Sequence, residues 1–187
     1  QEVVQAIADM VTQSAGPYTA VGMGMALAAH QVRDTGRAEQ LAFLRQAAQE
    51  LAHARPTTAN RYGQITFRCA DVAEAALEAG QNPVAAIVED TLESLGRRYS
   101  TMQLVGDRLE ALVPEGGTVL TQCYGETIIG TLIRAARRTG KTFRVFCAET
   151  RPFLQGARLT ASCFAQAGFD TTVLTDNMIA YAMEREG

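Results

Sequence analysis

The chain has 187 residues, 47% apolar and 20% charged, with a formal net charge of -3. That supports one ordinary domain or two small ones around a real core, and it excludes a disordered tail. No apolar run approaches the ~20 residues of a membrane helix, Gln1 opens neither a basic n-region nor a cleavage site, and the acidic balance gives no general attraction to nucleic acid. The expectation is a cytoplasmic protein with neither a membrane nor a direct nucleic-acid partner.

Residues 1–98 read as a helical domain, because Ala, Leu, Gln and Glu dominate and apolar residues recur at three and four. Val3, Val4, Ile7, Met10 and Val11 form the first stripe. The S-A-G-P-Y break at 14–18 ends that helix, and Thr19 is placed to cap a second one over about 20–32. Gly22 and Gly24 open a G-x-G pattern, but Leu27 stands where a third glycine belongs and no strand precedes it. Close helix packing explains them better than a dinucleotide loop. A third helix spans about 38–54 and stops at Arg55-Pro56, since proline disfavours helical geometry at the residue before it. Thr57 or Thr58 caps the next helix, leaving Arg55 at an interhelical corner. Further helices are expected over about 72–78 and 84–98.

The periodicity then lapses over 99–106, and a short helix at 107–112 leads to the turn P-E-G-G at 114–117. Residues 99–117 therefore read as a linker. From 118 the order is strand (118–122), helix (126–139), strand (143–148), helix (154–167), strand (171–175), helix (177–185), with Gly140 and Gly168 as C-cap glycines. Alternating strand and helix with short links implies a parallel sheet. The fold class is α/β: a helical N-terminal domain, then at 118–187 the first half of a Rossmann-like domain, three βα units whose C-terminal half is missing.

If the three strands are neighbours, Cys123, the loop holding Arg151 and Gln155, and Asp176 with Asn177 share one edge, where open α/β sheets bind ligands. A thiol at the start of a helix feels its dipole and free amides, so Cys123 is either an activated thiol or a small packed hydrophobe. Cys147 and Cys163 are better explained by packing. Arg151-Pro152 reads as a loop opening a helix near 153–155, whose amides would form a phosphate or carboxylate seat flanked by Arg151 and Gln155. The plainer alternative pairs Arg151 with Glu149 or Asp176 to hold the loops, and Asp176 is otherwise an N-cap for the last helix. Arg134, Arg137, Arg138 and Lys141 follow helical spacing and read as a solvated face. The four cysteines lack C-x-x-C spacing and only His30 and His53 accompany them, so no metal site is expected.

The run E-T-R-P-F-L-Q-G-A-R-L-T-A at 149–161, with T-D-N-M at 175–178, resembles the methylthioribose-1-phosphate isomerase family. That family shares a superfamily with ribose-1,5-bisphosphate isomerase and the alpha, beta and delta subunits of initiation factor 2B. V-L-T-Q-C at 119–123, A-R-P-T-T-A-N at 54–60 and A-I-A-D-M-V at 6–11 extend the similarity. The resemblance implies a helical domain followed by a Rossmann-like one, no cofactor, and conversion of an aldose 1-phosphate to the ketose, as in methionine salvage. An incomplete parallel sheet leaves an apolar edge or face, so a homodimer is expected. The resemblance makes Cys123 the catalytic cysteine and Arg55 and Gln155 phosphate-binding, and it demotes Asp176 to a cap or loop-shaping residue. Arg151, Asp176 and Asn177 stay candidates for site lining from their place at the edge alone.

Three departures accompany the resemblance. The family's V-R-G-A-P is replaced by V-T-Q-S-A-G-P at 11–17, without the arginine. The loop after Cys123 is shortened to Y-G-E-T-I-I-G-T. The family's G-A-D-R, which carries the catalytic aspartate, and N-K-I-G-T do not occur in the 187 residues. The expectation is a truncated, largely inactive chain of an isomerase, with a non-catalytic sugar-phosphate- or nucleotide-binding regulator of the initiation factor 2B type as the alternative.

Overall fold

The computed structural model describes residues 1–12 and 14–186. The chain forms two compact units, Gln1–Arg97 and Arg98–Gly187. Among the described residues no helix is long and apolar enough to cross a membrane.

The first unit contains α1 (Glu2–Ala8), α2 (Gly16–Gln31), α3 (Arg37–Ala52), α4 (Ala59–Glu78) and the start of α5 (Pro83–Leu112). Ile7, Met25, Leu44, Tyr62 and Ile87 are buried in its core, each such side chain contributing about 1.5–3 kcal/mol of transfer free energy. Gly22 and Gly24 are packing glycines. A Cβ on Gly22 would lie 2.7 Å from Thr91, and one on Gly24 would lie 3.2 Å from Val3.

Three local expectations change in this unit. The first stripe stops at Ile7, because Met10 turns to φ 57° and Val11 is 73% exposed. The second helix opens at Gly16 with Pro17 in its first turn, so Thr19 lies inside it instead of capping it. Proline suits that position because its missing N–H would have no helical partner there. Finally, α4 is one helix of 20 residues. Cys69, Ala70 and Ala73 carry its buried face through the region where two helices were expected.

The second unit begins with the larger surprise. Residues 99–106 are not a lapse but the middle of α5, which runs unbroken for 30 residues. Its last turns are clasped by α6 (Glu126–Thr139) and the turn after it. The Tyr99 hydroxyl donates to Glu126 (2.9 Å), Arg134 donates to Gln103 (3.0 Å), Arg138 to Asp107 (2.9 Å), and the Thr139 hydroxyl to Glu110 (2.9 Å). Lys141 Nζ lies 3.0 Å from Glu110 and donates to the carbonyls of Glu110 and Val113. Three of the four basic residues read as a solvated face therefore hold α5, and the fourth, Arg137, donates to the Ala167 carbonyl. Gly106, which weakens the helical pattern in sequence, is buried where a Cβ would meet Thr131 Oγ1 at 2.7 Å. It permits the close approach that the pairings need. The segment read as a linker is thus mostly helix.

Beyond it, β1 (Thr118–Gln122), β2 (Arg144–Ala148) and β3 (Asp170–Leu174) form a parallel sheet in the order β1-β2-β3. Val119 pairs with Val145 and Cys147 with Val173. Phe143, Val145, Cys147, Leu132 and Phe164 bury one side of the sheet under α6 and α7 (Ala161–Gln166). Phe143, Phe164 and Phe169 stack with centroids 4.7–6.3 Å apart, a spacing at which rings attract edge to face. Gly140 (φ 77°) and Gly168 (φ 89°) adopt the left-handed conformation that ends a helix. The last helix, α8 (Ile179–Glu186), follows a short 3-10 turn, Asp176–Met178.

Candidate active site

All three strands deliver their C-terminal ends to one edge, and the loops there are unusually constrained. Three of the five non-glycine residues with positive φ among the described residues lie at this edge: Cys123 (63°), Thr150 (64°) and Leu154 (59°). The left-handed region costs an L-residue roughly 1–2 kcal/mol, and a β-branched residue such as Thr150 is a true outlier there. Surrounding hydrogen bonds must hold these conformations in place.

At Cys123 the bonds act on both sides of the residue. Its N–H donates to Thr150 Oγ1 (2.8 Å), and its carbonyl accepts from Thr160 Oγ1 (2.6 Å). The Thr150 hydroxyl in turn donates to the Ala148 carbonyl (3.2 Å). Asp176 fastens the neighbouring loop, its two carboxylate oxygens accepting from the backbone N–H of Thr150 (2.7 Å) and of Arg151 (2.8 Å). These amides, first from Arg151 and then from Thr150, hold the Asp176 carboxyl below the usual carboxylate range by favouring its charged form. Asp176 is therefore a loop clamp and does not cap α8, because Thr175 occupies the N-cap of the turn it begins.

The Cys123 thiol is exposed, whereas Cys69 and Cys147 are buried. Burial pushes the Cys69 thiol up to about 11 and raises that of Cys147 as well. Cys123 does not stand at a helix start as expected. Gly125 is the N-cap and α6 begins at Glu126, so the residue sits in a separate turn after β1.

The expected anion seat on helix amides at 153–155 is also revised. Arg151-Pro152 is a cis peptide, and helical structure opens at Gln155 and continues as a five-residue π-helix at Gly156–Thr160. The amides of Leu154, Ala157 and Arg158 are already bonded to the carbonyls of Thr150, Glu149 and Leu154. Gly156 lies against the sheet so closely that a Cβ would stand 1.8 Å from the Ala148 carbonyl oxygen. Gln155, just before it, has a buried Oε1 that finds no hydrogen-bond partner. An amide oxygen left so costs free energy until a donor reaches it.

Arg151 pairs through Nε with Glu149 Oε1 at 2.8 Å and its side chain is 72% exposed, so the plainer loop-holding reading describes it. Asn177 accepts from the Thr175 hydroxyl (2.7 Å) and faces outward. Arg55 belongs to the first unit. It has extended geometry (φ -137°, ψ 117°) before the Pro56–Thr58 turn, the conformation its proline neighbour favours. The structure thus joins Cys123, Asp176 and the 150–155 loop in one bonded cluster, and adds Thr150 and Thr160, which sequence reasoning passed over. Both lie in the E-T-R-P-F-L-Q-G-A-R-L-T-A run, and a threonine next to a turn is a ready backbone clamp.

A helical unit followed by three parallel βα units, with a fastened exposed cysteine at the sheet's C-terminal edge, defines a Rossmann-like α/β architecture. The chain belongs to the Initiation factor 2 subunit family, whose profile matches residues 14–185. Methylthioribose-1-phosphate isomerases from Desulforudis audaxviator and Koribacter versatilis are 37% and 38% identical to it, each over 100% of this chain and over 56% and 55% of their own lengths. Among solved structures, 5-methylthioribose 1-phosphate isomerase from Pyrococcus horikoshii is 26% identical with a TM-score of 0.73, matched over 98% of this chain and 54% of its own. The translation initiation factor eIF-2B subunit delta from A. fulgidus is 28% identical with a TM-score of 0.71, over 98% and 56%. The chain spans about half the length of the relatives it matches.

Proposed function

We propose that this chain supplies the Cys123 wall of an aldose–ketose isomerase acting on a sugar 1-phosphate, of the methylthioribose-1-phosphate to methylthioribulose-1-phosphate type. The observation that carries the reading is an exposed thiol at the sheet's C-terminal edge whose peptide is bonded on both sides. The reaction is redox neutral. A hydrogen moves from C2 to C1, the ring C1–O bond breaks, the ring oxygen gains a proton and the 2-hydroxyl loses one. A thiol beside those atoms can carry one of the protons, and a phosphate anchor fixes the sugar for it. Arg55 and Gln155 are assigned to the phosphate end. The buried Gln155 side-chain amide, whose Oε1 has no partner, supports the assignment when turned so that its NH2 donates to the phosphate, since an amide oxygen only accepts. Association as a homodimer and cytoplasmic residence belong to the same reading.

The test is turnover of an aldose 1-phosphate by a protein carrying the full family length, compared with the 187-residue chain. Cys123→Ala is expected to lose about 10²-fold or more in kcat, the usual worth of a positioned acid–base group. Arg55→Ala and Gln155→Ala should raise KM. The 187-residue chain, which lacks the family's G-A-D-R carboxylate, should turn over little. Full activity in Cys123→Ala would remove the reading. The likeness to the A. fulgidus delta subunit and the short Y-G-E-T-I-I-G-T loop favour a second reading, a regulator that binds a sugar phosphate or nucleotide. That reading expects binding without turnover in the full-length protein.

A further inference from the structure

The isomerase reading assigns no task to the hydroxyls that touch the Cys123 peptide. We propose that Thr160 and Thr150 are positioning residues for the Cys123 thiol: they hold the residue in its left-handed turn and so aim the side chain at the sugar. The inference rests on the isomerase reading for its catalytic consequence, but its physical part stands on geometry alone.

Left to itself, a cysteine after a strand prefers extended or right-handed geometry, and the strand direction would carry on past the sheet edge. At φ 63° the chain instead turns sharply between β1 and Gly125. Two side-chain bonds, one from the loop after β2 and one from the helical turn that leads into α7, oppose relaxation. Thr160, fully buried, donates to the Cys123 carbonyl at 2.6 Å, and Thr150 accepts from the Cys123 N–H at 2.8 Å. Thr150 is itself in the left-handed region, an unfavourable place for a β-branched side chain. There its hydroxyl reaches both Cys123 N–H and the Ala148 carbonyl, while Asp176 grips the amides at 150 and 151. A strained threonine serving a strained cysteine is the arrangement expected where a reactive side chain must be held in one orientation.

The experiment uses the full-length protein and the variants Thr160→Val, Thr160→Ser, Thr150→Val and Cys123→Ala. Valine keeps the shape and removes the hydroxyl, and serine restores the hydroxyl. Thr160→Val is expected to lower kcat about 10- to 100-fold, the scale of a displaced reacting group, with KM changed less than about 2-fold because uniform binding is untouched. Thr160→Ser should recover most of kcat. In parallel, amide hydrogen exchange of the peptide containing Cys123 should quicken about 10-fold or more in Thr150→Val, which loses the partner of the Cys123 N–H. Exchange elsewhere in the sheet should stay unchanged, which separates this effect from general unfolding. Unchanged exchange at Cys123 would overturn the clamp. Faster exchange with unchanged kcat, while Cys123→Ala is inactive, would overturn the positioning role alone. Normal turnover in Cys123→Ala would instead remove the underlying reading, a result distinct from either.

Discussion

At the scale of single residues, Gly156 sets a hard limit on the candidate site. Its Cα faces the Ala148 carbonyl with room for hydrogen only, a Cβ standing 1.8 Å from that oxygen. The obstacle is backbone at the end of β2, which no rotamer change can move aside. Gly156→Ala is therefore expected to destabilise the second unit by more than about 3 kcal/mol, at the upper end of overpacking costs, measurable as a fall in the urea midpoint or as loss of soluble protein. Cys123 and Asp176 were legible as candidates because their positions at strand ends follow from the strand pattern, and Gln155 because it flanks the helix start after Arg151-Pro152 in the 149–161 run. The roles of Thr150 and Thr160 were not legible, because their partners are backbone atoms of Ala148 and Cys123, up to 37 residues away in sequence.

At the scale of elements, α5 shows tertiary contacts overriding local pattern. Residues 99–106 carry Tyr99, Val105 and Gly106, none a strong helix former, yet the helix continues because Tyr99, Gln103, Asp107 and Glu110 each pair with a side chain on α6. The same helix holds two glycines in opposite circumstances. Nothing lies within 4 Å of a Cβ on Gly96, whereas a Cβ on Gly106 would meet Thr131 Oγ1 at 2.7 Å and the Thr131 backbone at 2.8 Å. Gly96→Ala is expected to stabilise by about 0.5–1 kcal/mol, the ordinary helix gain, and Gly106→Ala to destabilise by about 1–3 kcal/mol. Thermal melts of the two variants followed by circular dichroism would check the opposite signs. Equal shifts would mean that α5 does not pack on α6 as described.

At the scale of the whole molecule, charge is distributed so that the second unit depends on ionised carboxylates. Asp107 is held low by Gln103 and then Arg138, Glu110 by Lys141 and then Thr139, Glu115 by the Thr142 side chain and backbone, and Asp176 by its two amides. A folded-state pKa below the unfolded one adds stability that is present above the unfolded value, about 3.9 for Asp and 4.3 for Glu. That stability is lost as pH falls through the folded values. The melting temperature should thus be nearly flat from pH 7 to about 5 and drop below about 4. Asp176→Asn should start lower and drop less on acidification. A melt that is insensitive down to pH 3 would contradict these assignments. The sequence by itself determined the helical first unit, the three strands of a parallel sheet and the place of Cys123 at a strand end, because hydrophobic period, turn glycines and proline geometry are local and each residue carries its own signal. Only the tertiary structure decided the continuity of α5, the clamp on the Cys123 peptide and the role of Asp176. Each of those depends on a hydrogen bond or a close approach between segments about 25 or more residues apart, and no local propensity encodes which distant atom will be the partner.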